Sequence, residues 1–266
     1  MSAGEPFAAP TDIPAGSGTE RLGMLLPDWP APSSIGALST TRLGGHGQPP
    51  FNGFNLGDHV GDDPRRVFAN RGSLQAALGD AVKPQWLRQV HGTQVARLNC
   101  VGPEIEADAA MTDQPGIACL VMTADCLPVL FCNRQGTRVA AAHAGWRGLA
   151  EGVLEATLTS MDTPASDLIC WLGPAIGPQA FEVGDEVRQQ FCRQQATAEQ
   201  AFKHHDRLRN TWLADLYQLA RLRLAAQGVT EIYGGDACTY TDSERFFSYR
   251  RDGQTGRMAS LVWIKP

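Results

Sequence analysis

Three side chains with ligand or acid–base chemistry stand where apolar runs give out. His91 follows "QWLRQV", Cys126 comes just past "GIACLVMT", and His143 closes "RVAAAHA". Two neutral imidazoles and one thiolate suit zinc and can also hold copper. Three protein ligands would leave a fourth tetrahedral position open for water or substrate, as in catalytic zinc sites. The same trio can instead form a cysteine–histidine nucleophile pair with the second histidine as helper. Taken singly, none of the three decides the matter. A lone histidine is more often a hydrogen-bonded structural group, and Cys126 alone reads equally well as an inert buried thiol. Their shared placement at strand ends is what argues for a site.

The stretch after His143 adds a possible anion cradle. In "HAGWRG", Gly145 and Gly148 flank Trp146 and Arg147 ahead of a helix-like run. A strand, a glycine turn and a helix start present free backbone N–H groups, and Arg147 adds a planar guanidinium. The turn also fits a plain tight connection with an exposed arginine. Neither G-K-[ST] nor G-x-G-x-x-G is present, so no nucleotide motif is matched by spacing. Arg42 in "TTRLGG" and Arg251 in "SYRRDG" are further candidate anion contacts, weighed against surface charge or an ion pair with Asp252. Asp125, next to Cys126, points away from it if the chain is extended there, and is a weak candidate for a general base.

The elements that must position these groups alternate irregularly. Strand-like runs include "IGALSTT", "QWLRQV", "GIACLVMT", "LPVLFC", "RVAAAHA", "DLICWLG", "EIYGG" and "MASLVWI". Helix-like runs include "DDPRRVFANRGSLQAALG", with Asp63 as N-cap, Pro64 at the first position and Gly79 as stop. "GLAEGVLEATLTSM" and "TWLADLYQLARLRLAAQG" carry apolar residues at three-and-four spacing. This order predicts an α/β protein with mixed sheets rather than a doubly wound parallel sheet. No Pro/Ser-rich linker interrupts the chain, so residues 22–266 read as one domain behind a flexible Pro/Gly/Ala tail at 1–21. The 266 residues carry a net charge of -5 and no long Lys/Arg block, which speaks against a nucleic-acid partner. No apolar stretch is long enough to span a bilayer, and the first residues lack the pattern of a secretory signal. Seven cysteines, an odd count without a C-x-x-C pair, point to reduced thiols in the cytoplasm. Cys119, Cys132 and Cys170 lie inside apolar runs and read as core residues.

Several longer motifs occur in a family order: "TTRLGG", "FNLGDHVGDD", "QVHG", "ADAAMT", "TADCLPVLF", "AAHAGWRG", "LGPAIGPQAFEVG" and "CTYTDSERFFSYRRDGQTGRMASLVW". The chain thereby resembles the YfiH family, also called the polyphenol oxidase or laccase-domain family, from about Leu22 to the C-terminus. That family includes the purine-nucleoside enzyme FAMIN and the peptidoglycan-editing factors. The resemblance implies a single-domain α/β/β/α sandwich, similar to cysteine hydrolases. It maps His91, Cys126 and His143 onto a His–Cys–His metal and catalytic set, holding zinc or alternatively copper.

It further implies phosphorolysis of inosine, guanosine, adenosine and methylthioadenosine, with phosphate as co-substrate, and deamination of adenosine. Arg147 with the Gly145–Gly148 amides, Arg42 and Arg251 are then the candidate phosphate or ribose contacts. Phe246, Phe247 and Tyr249 are candidates for stacking on a purine, against a core role for strand aromatics. The best-known zinc deaminases pair H-x-E with P-C-x-x-C; both are missing here, and the base is unassigned. The editing relatives imply an alternative: a cysteine- or metal-dependent hydrolase that removes misincorporated L-serine from UDP-muramyl precursors. The name laccase fits the residues poorly. A four-copper relay needs about ten histidines, typically in H-x-H pairs, whereas this chain has 6 histidines and no H-x-H.

Overall fold

The computed structural model describes residues 11–14, 21–206 and 209–266. In chain order its strands are β1 (Thr11–Pro14), β2 (Arg21–Leu25), β3 (Ile35–Thr40), β4 (Lys83–Gln85), β5 (Leu87–Arg88), β6 (Val95–Arg97), β7 (Ile105–Glu106), β8 (Ala109–Thr112), β9 (Ile117–Thr123), β10 (Leu127–Asn133), β11 (Val139–Ala144), β12 (Leu168–Leu172), β13 (Glu182–Gly184), β14 (Phe202–Asp206), β15 (Thr211–Ala214), β16 (Glu231–Gly234) and β17 (Met258–Ile264). The α-helices are α1 (Pro64–Leu78), α2 (Trp146–Glu151), α3 (Val153–Met161), α4 (Asp185–Gln194), α5 (Leu216–Ala226) and α6 (Tyr249–Asp252). Two six-stranded sheets dominate, with strand orders β1-β2-β3-β17-β9-β4 and β16-β12-β10-β11-β8-β6. Most neighbours are antiparallel, but β4 with β9, β6 with β8 and β12 with β16 are parallel, so both sheets are mixed.

Period-two alternation builds four layers from these strands. Cys119 and Val121 of β9 and Val262 of β17 meet Leu130 and Cys132 of β10 and Val139 and Ala141 of β11, forming the layer between the sheets. The opposite faces of the same strands are covered separately. Ala118, Leu120 and Met122 pack with Leu74 of α1. Val129, Phe131, Ala140 and Ala142 pack with Leu154 and Leu158 of α3 and Leu219 and Leu224 of α5. The result is the α/β/β/α sandwich that the family resemblance implies, with the strands buried on both faces.

Local chemistry explains the boundaries. Asp63 caps α1 by accepting from the Arg65 N–H, Pro64 opens the helix, and Gly79 closes it with a positive φ of 79°. The run "GLAEGVLEATLTSM" divides into α2 and α3, because Gly152 adopts a left-handed conformation with φ 105°. "QWLRQV" likewise divides into β4, which joins the first sheet, and β5, which pairs with β7. Within the segment read as a tail, Thr11–Pro14 lies antiparallel to β2 and Arg21 opens β2; residues 1–10 and 15–20 lie outside the described residues. Among the described residues, no helix is long and apolar enough to cross a membrane.

Candidate metal centre and cleft

Strand parity aims two of the three candidate ligands. In β11 the inward residues are Val139 and Ala141, and the next position in that register is His143. In β10 the inward residues Cys132 and Leu130 count back by twos to Cys126, at the corner where the chain passes from β9 in one sheet to β10 in the other. His91 arrives on the turn after β5. The ligand atoms of His91, Cys126 and His143 all lie within 4.8 Å of one another. Cys126 Sγ is 3.9 Å from His91 Nε2, and the two imidazoles meet edge to face with centroids 4.7 Å apart. Donors around a tetrahedral zinc stand about 3.3–3.6 Å apart. The cluster is therefore close to the spacing a metal requires and needs only a small contraction.

Gly145 keeps this cluster open. A Cβ there would lie 2.9 Å from Cys126 Sγ and 3.0 Å from His91 Cδ2, too close for any other residue. Gly148 has a packing role: its Cβ would lie 2.8 Å from the Gly92 carbonyl oxygen, so glycine lets α2 rest on the His91 turn.

The electrostatics centre on Asp108, which the sequence did not single out. Its carboxylate is fully buried and sits 2.8 Å from His143 Nδ1. It also accepts from the backbone N–H groups of Val90, His91 and Gly92, at 3.1, 2.9 and 2.7 Å. Burial pushes the Asp108 carboxyl up, but the hydrogen bonds from His143 and this backbone outweigh it and hold its pKa below the usual value. Burial likewise pushes the Cys126 thiol up, yet His143 and His91 overcome it and bring the thiol down to about 6. His143 moves the other way. Burial lowers it, but the Cys126 sulfur and the Asp108 carboxylate raise it to about 9. Asp125 faces elsewhere: its carboxylate accepts from Thr239 Oγ1 at 2.6 Å and the Arg250 backbone N–H at 2.7 Å.

The cluster opens into a cleft of about 420 Å³. Its walls are His59, Gln89, Met122, Thr123, Ala124, Tyr249 and Arg257. This volume falls in the usual range for small-molecule sites. Tyr249 is 62% exposed at its edge. Arg257 is half-buried, with Nη1 donating to the Thr255 and Gly256 carbonyls. The three arginines singled out in the sequence stand apart from these walls. Arg42 donates to the Ser243 and Asn52 carbonyls and lies over the Phe247 ring. Arg251 donates to Thr239, Tyr240 and Phe246 carbonyls and pairs with Asp252. Arg147 is exposed, its guanidinium 4.5 Å over the Trp146 ring. The α2 turn is a single short helix of six residues. Arg257 was visible in the sequence only as a charge directly ahead of the last apolar strand.

A mixed-sheet sandwich carrying one His–Cys–His cluster at the end of its inter-sheet layer defines an α/β protein with a cleft lined by three potential metal donors. The chain belongs to the family described as multi-copper polyphenol oxidoreductase laccase, whose sequence profile matches residues 36–265. It is 55% identical over 241 residues to a purine nucleoside phosphorylase of Pseudomonas aeruginosa, covering 91% of this chain and 98% of that one. It is 54% identical over 242 residues to the purine nucleoside phosphorylase YfiH of Escherichia coli, with 91% and 98% covered. Among solved structures, a Neisseria meningitidis protein of the DUF152 family superposes with a TM-score of 0.88 at 49% identity, covering 91% and 99%. YlmD from Geobacillus stearothermophilus superposes with a TM-score of 0.83 at 28% identity, covering 96% and 100%. The copper in the family's description does not translate into a four-copper array. Among the described residues, His91, Cys126 and His143 form the only cluster of three or more such ligands within reach of one ion.

Proposed function

We propose that this protein is a purine nucleoside phosphorylase acting in the cleft that His91, Cys126 and His143 share with Arg257. The observation that carries the reading is that continuity: one space of nucleoside size has a ligand cluster on one wall and a guanidinium on another. The relatives at 54–55% identity that bear this activity in their names supply the reaction. Inosine, guanosine, adenosine and methylthioadenosine are the substrates, and adenosine deamination is a second reaction of the same cleft. We place residues 22–266 in one catalytic unit, because both sheets contribute to the site. The free state of all seven cysteines fits a reducing, cytoplasmic setting.

In phosphorolysis a phosphate oxygen bonds to the ribose anomeric carbon as the carbon–nitrogen bond to the purine breaks. Positioning and charge stabilisation do most of the work. Arg257 is assigned the phosphate, in place of Arg42 and Arg251, because its side chain lines the cleft beside the cluster and theirs do not. Arg147 and the Gly145–Gly148 turn lack a position in the cleft wall that would support the same role. The Tyr249 ring offers a stacking face for the purine. His59, the cleft imidazole outside the cluster, is available to protonate the departing base. Zinc, with copper as the alternative, is the metal assigned to His91 Nε2, Cys126 Sγ and His143 Nε2. When bound it would supply a Lewis acid and a water of lowered pKa.

One observation favours a second reading. Asp108, His143 and Cys126 follow one another as orienting carboxylate, base and thiol, the arrangement of a thiol hydrolase. An amide substrate, including the serine-containing UDP-muramyl precursor, belongs to that chemistry. The test is direct. Zinc-replete protein incubated with inosine and phosphate is expected to release hypoxanthine and ribose 1-phosphate, and with adenosine to yield adenine and inosine. Absence of hypoxanthine overturns the phosphorylase reading. Release of L-serine from the muramyl precursor would favour the second.

A further inference from the structure

We propose that Asp108 is the positioning residue for both histidines of the cluster. One carboxylate selects the ring nitrogen His143 presents and holds the backbone turn that aims His91. The inference rests on the metal-ligand reading of the cluster, and is independent of which substrate the cleft takes.

The first half is a matter of tautomers. Asp108 Oδ1 lies 2.8 Å from His143 Nδ1, and an ionised carboxylate can only accept. His143 therefore carries a proton on Nδ1. When neutral, it presents Nε2 as a lone pair toward Cys126 and His91, which is the atom a metal needs.

The second half is backbone geometry. His91 has a φ of 63°, the left-handed region that a non-glycine residue enters only at a cost. Consecutive N–H groups converge on one point when such a residue interrupts the chain, forming an anion-binding concavity. Here the N–H groups of Val90, His91 and Gly92 converge on the Asp108 side chain. The concavity is filled from within by the carboxylate that also holds His143. Asp108 further fixes the position of the His143 backbone, whose N–H donates to the Asp108 carbonyl at 2.7 Å.

Asparagine cannot replace this arrangement in either orientation. With its oxygen toward His143 and the His91 N–H, its NH2 faces the donors of Val90 and Gly92, and the His91 turn is repelled. With its NH2 toward His143, the ring must accept at Nδ1, and its proton moves to Nε2. Either way one metal donor is lost.

The experiment compares wild-type protein with Asp108→Asn by zinc affinity in chelator competition, by the absorption spectrum of the cobalt-substituted protein, and by kcat and KM for inosine. Circular dichroism and thermal melting check folding. For folded Asp108→Asn, zinc affinity is expected to fall about 10–100-fold, with a shifted cobalt band and a loss in kcat that exceeds any change in KM. Zinc affinity within threefold of wild type with an unchanged cobalt band overturns the proposal. If Asp108→Asn does not fold, Asp108→Glu is read the same way. It retains the charge but displaces the carboxylate, so a shifted cobalt band supports the proposal and a wild-type band overturns it. Wild-type protein that loads no zinc would overturn the metal reading itself. Wild-type protein that loads zinc without phosphorolysis would overturn only the proposed reaction.

Discussion

At the scale of single residues, identical thiols acquire opposite chemistry from their surroundings. Burial without a compensating cation pushes Cys132 up to about 12. Cys126 is brought down to about 6 because two imidazoles oppose burial. The thiolate is the reactive form, so its population rises as pH climbs through the thiol's own pKa. Alkylation of Cys126 by iodoacetamide in metal-free protein should therefore climb through pH 6 and level off near neutrality. An ordinary thiol would continue to gain reactivity toward pH 9. Peptide mapping by mass spectrometry separates Cys126 from the exposed Cys100. A midpoint near 9 for Cys126 would show that the imidazoles do not act on it.

At the scale of elements, boundaries with a chemical marker were legible and contacts across the fold were not. Asp63, Pro64 and Gly79 announced α1, and strand ends announced the three residues that meet in the cluster. The Gly152 break was not read, because glycine is permissive: it allows a left-handed turn without requiring one. Placing alanine there should cost about 1–2 kcal/mol, the penalty of a left-handed conformation with a Cβ, measured by urea unfolding of Gly152→Ala. A cost near zero would mean that α2 and α3 can merge into one helix. Asp108 and Arg257 were hidden for a different reason. "ADAAMT" and "TGRMAS" carry one charge each, and neither shows that Asp108 turns inward to His143 and the His91 turn, or that Arg257 lines the cleft. Conversely, the visible arginines Arg42 and Arg251 are drawn to carbonyls that no sequence pattern displays.

At the scale of the whole molecule, the cluster gathers donors from separate parts of the architecture. His143 belongs to one large sheet, Cys126 to the corner between both, and His91 to a turn outside them. A metal bound to all three ties these parts together only in the folded state, so it should stabilise the chain as a unit. At free zinc of about 100 times Kd, the gain is about 2.7 kcal/mol. Removing zinc with a chelator is expected to lower the melting temperature in a single transition. Cys126→Ser should melt at the same temperature with and without zinc. Equal zinc-dependent stabilisation of both proteins would remove the sulfur from the ligand set.

Only three residues, 124–126, carry the chain from β9 in one sheet to β10 in the other. The sulfur is thus located by the length of a covalent corner as much as by its neighbours. Since facing alternates strictly along β10, inserting one residue between Cys126 and Leu127 while β10 stays in register would rotate the thiol out of the seam. The outer cleft walls around His59 and Tyr249 carry no such constraint of count, while the junction of Cys126 with β10 does.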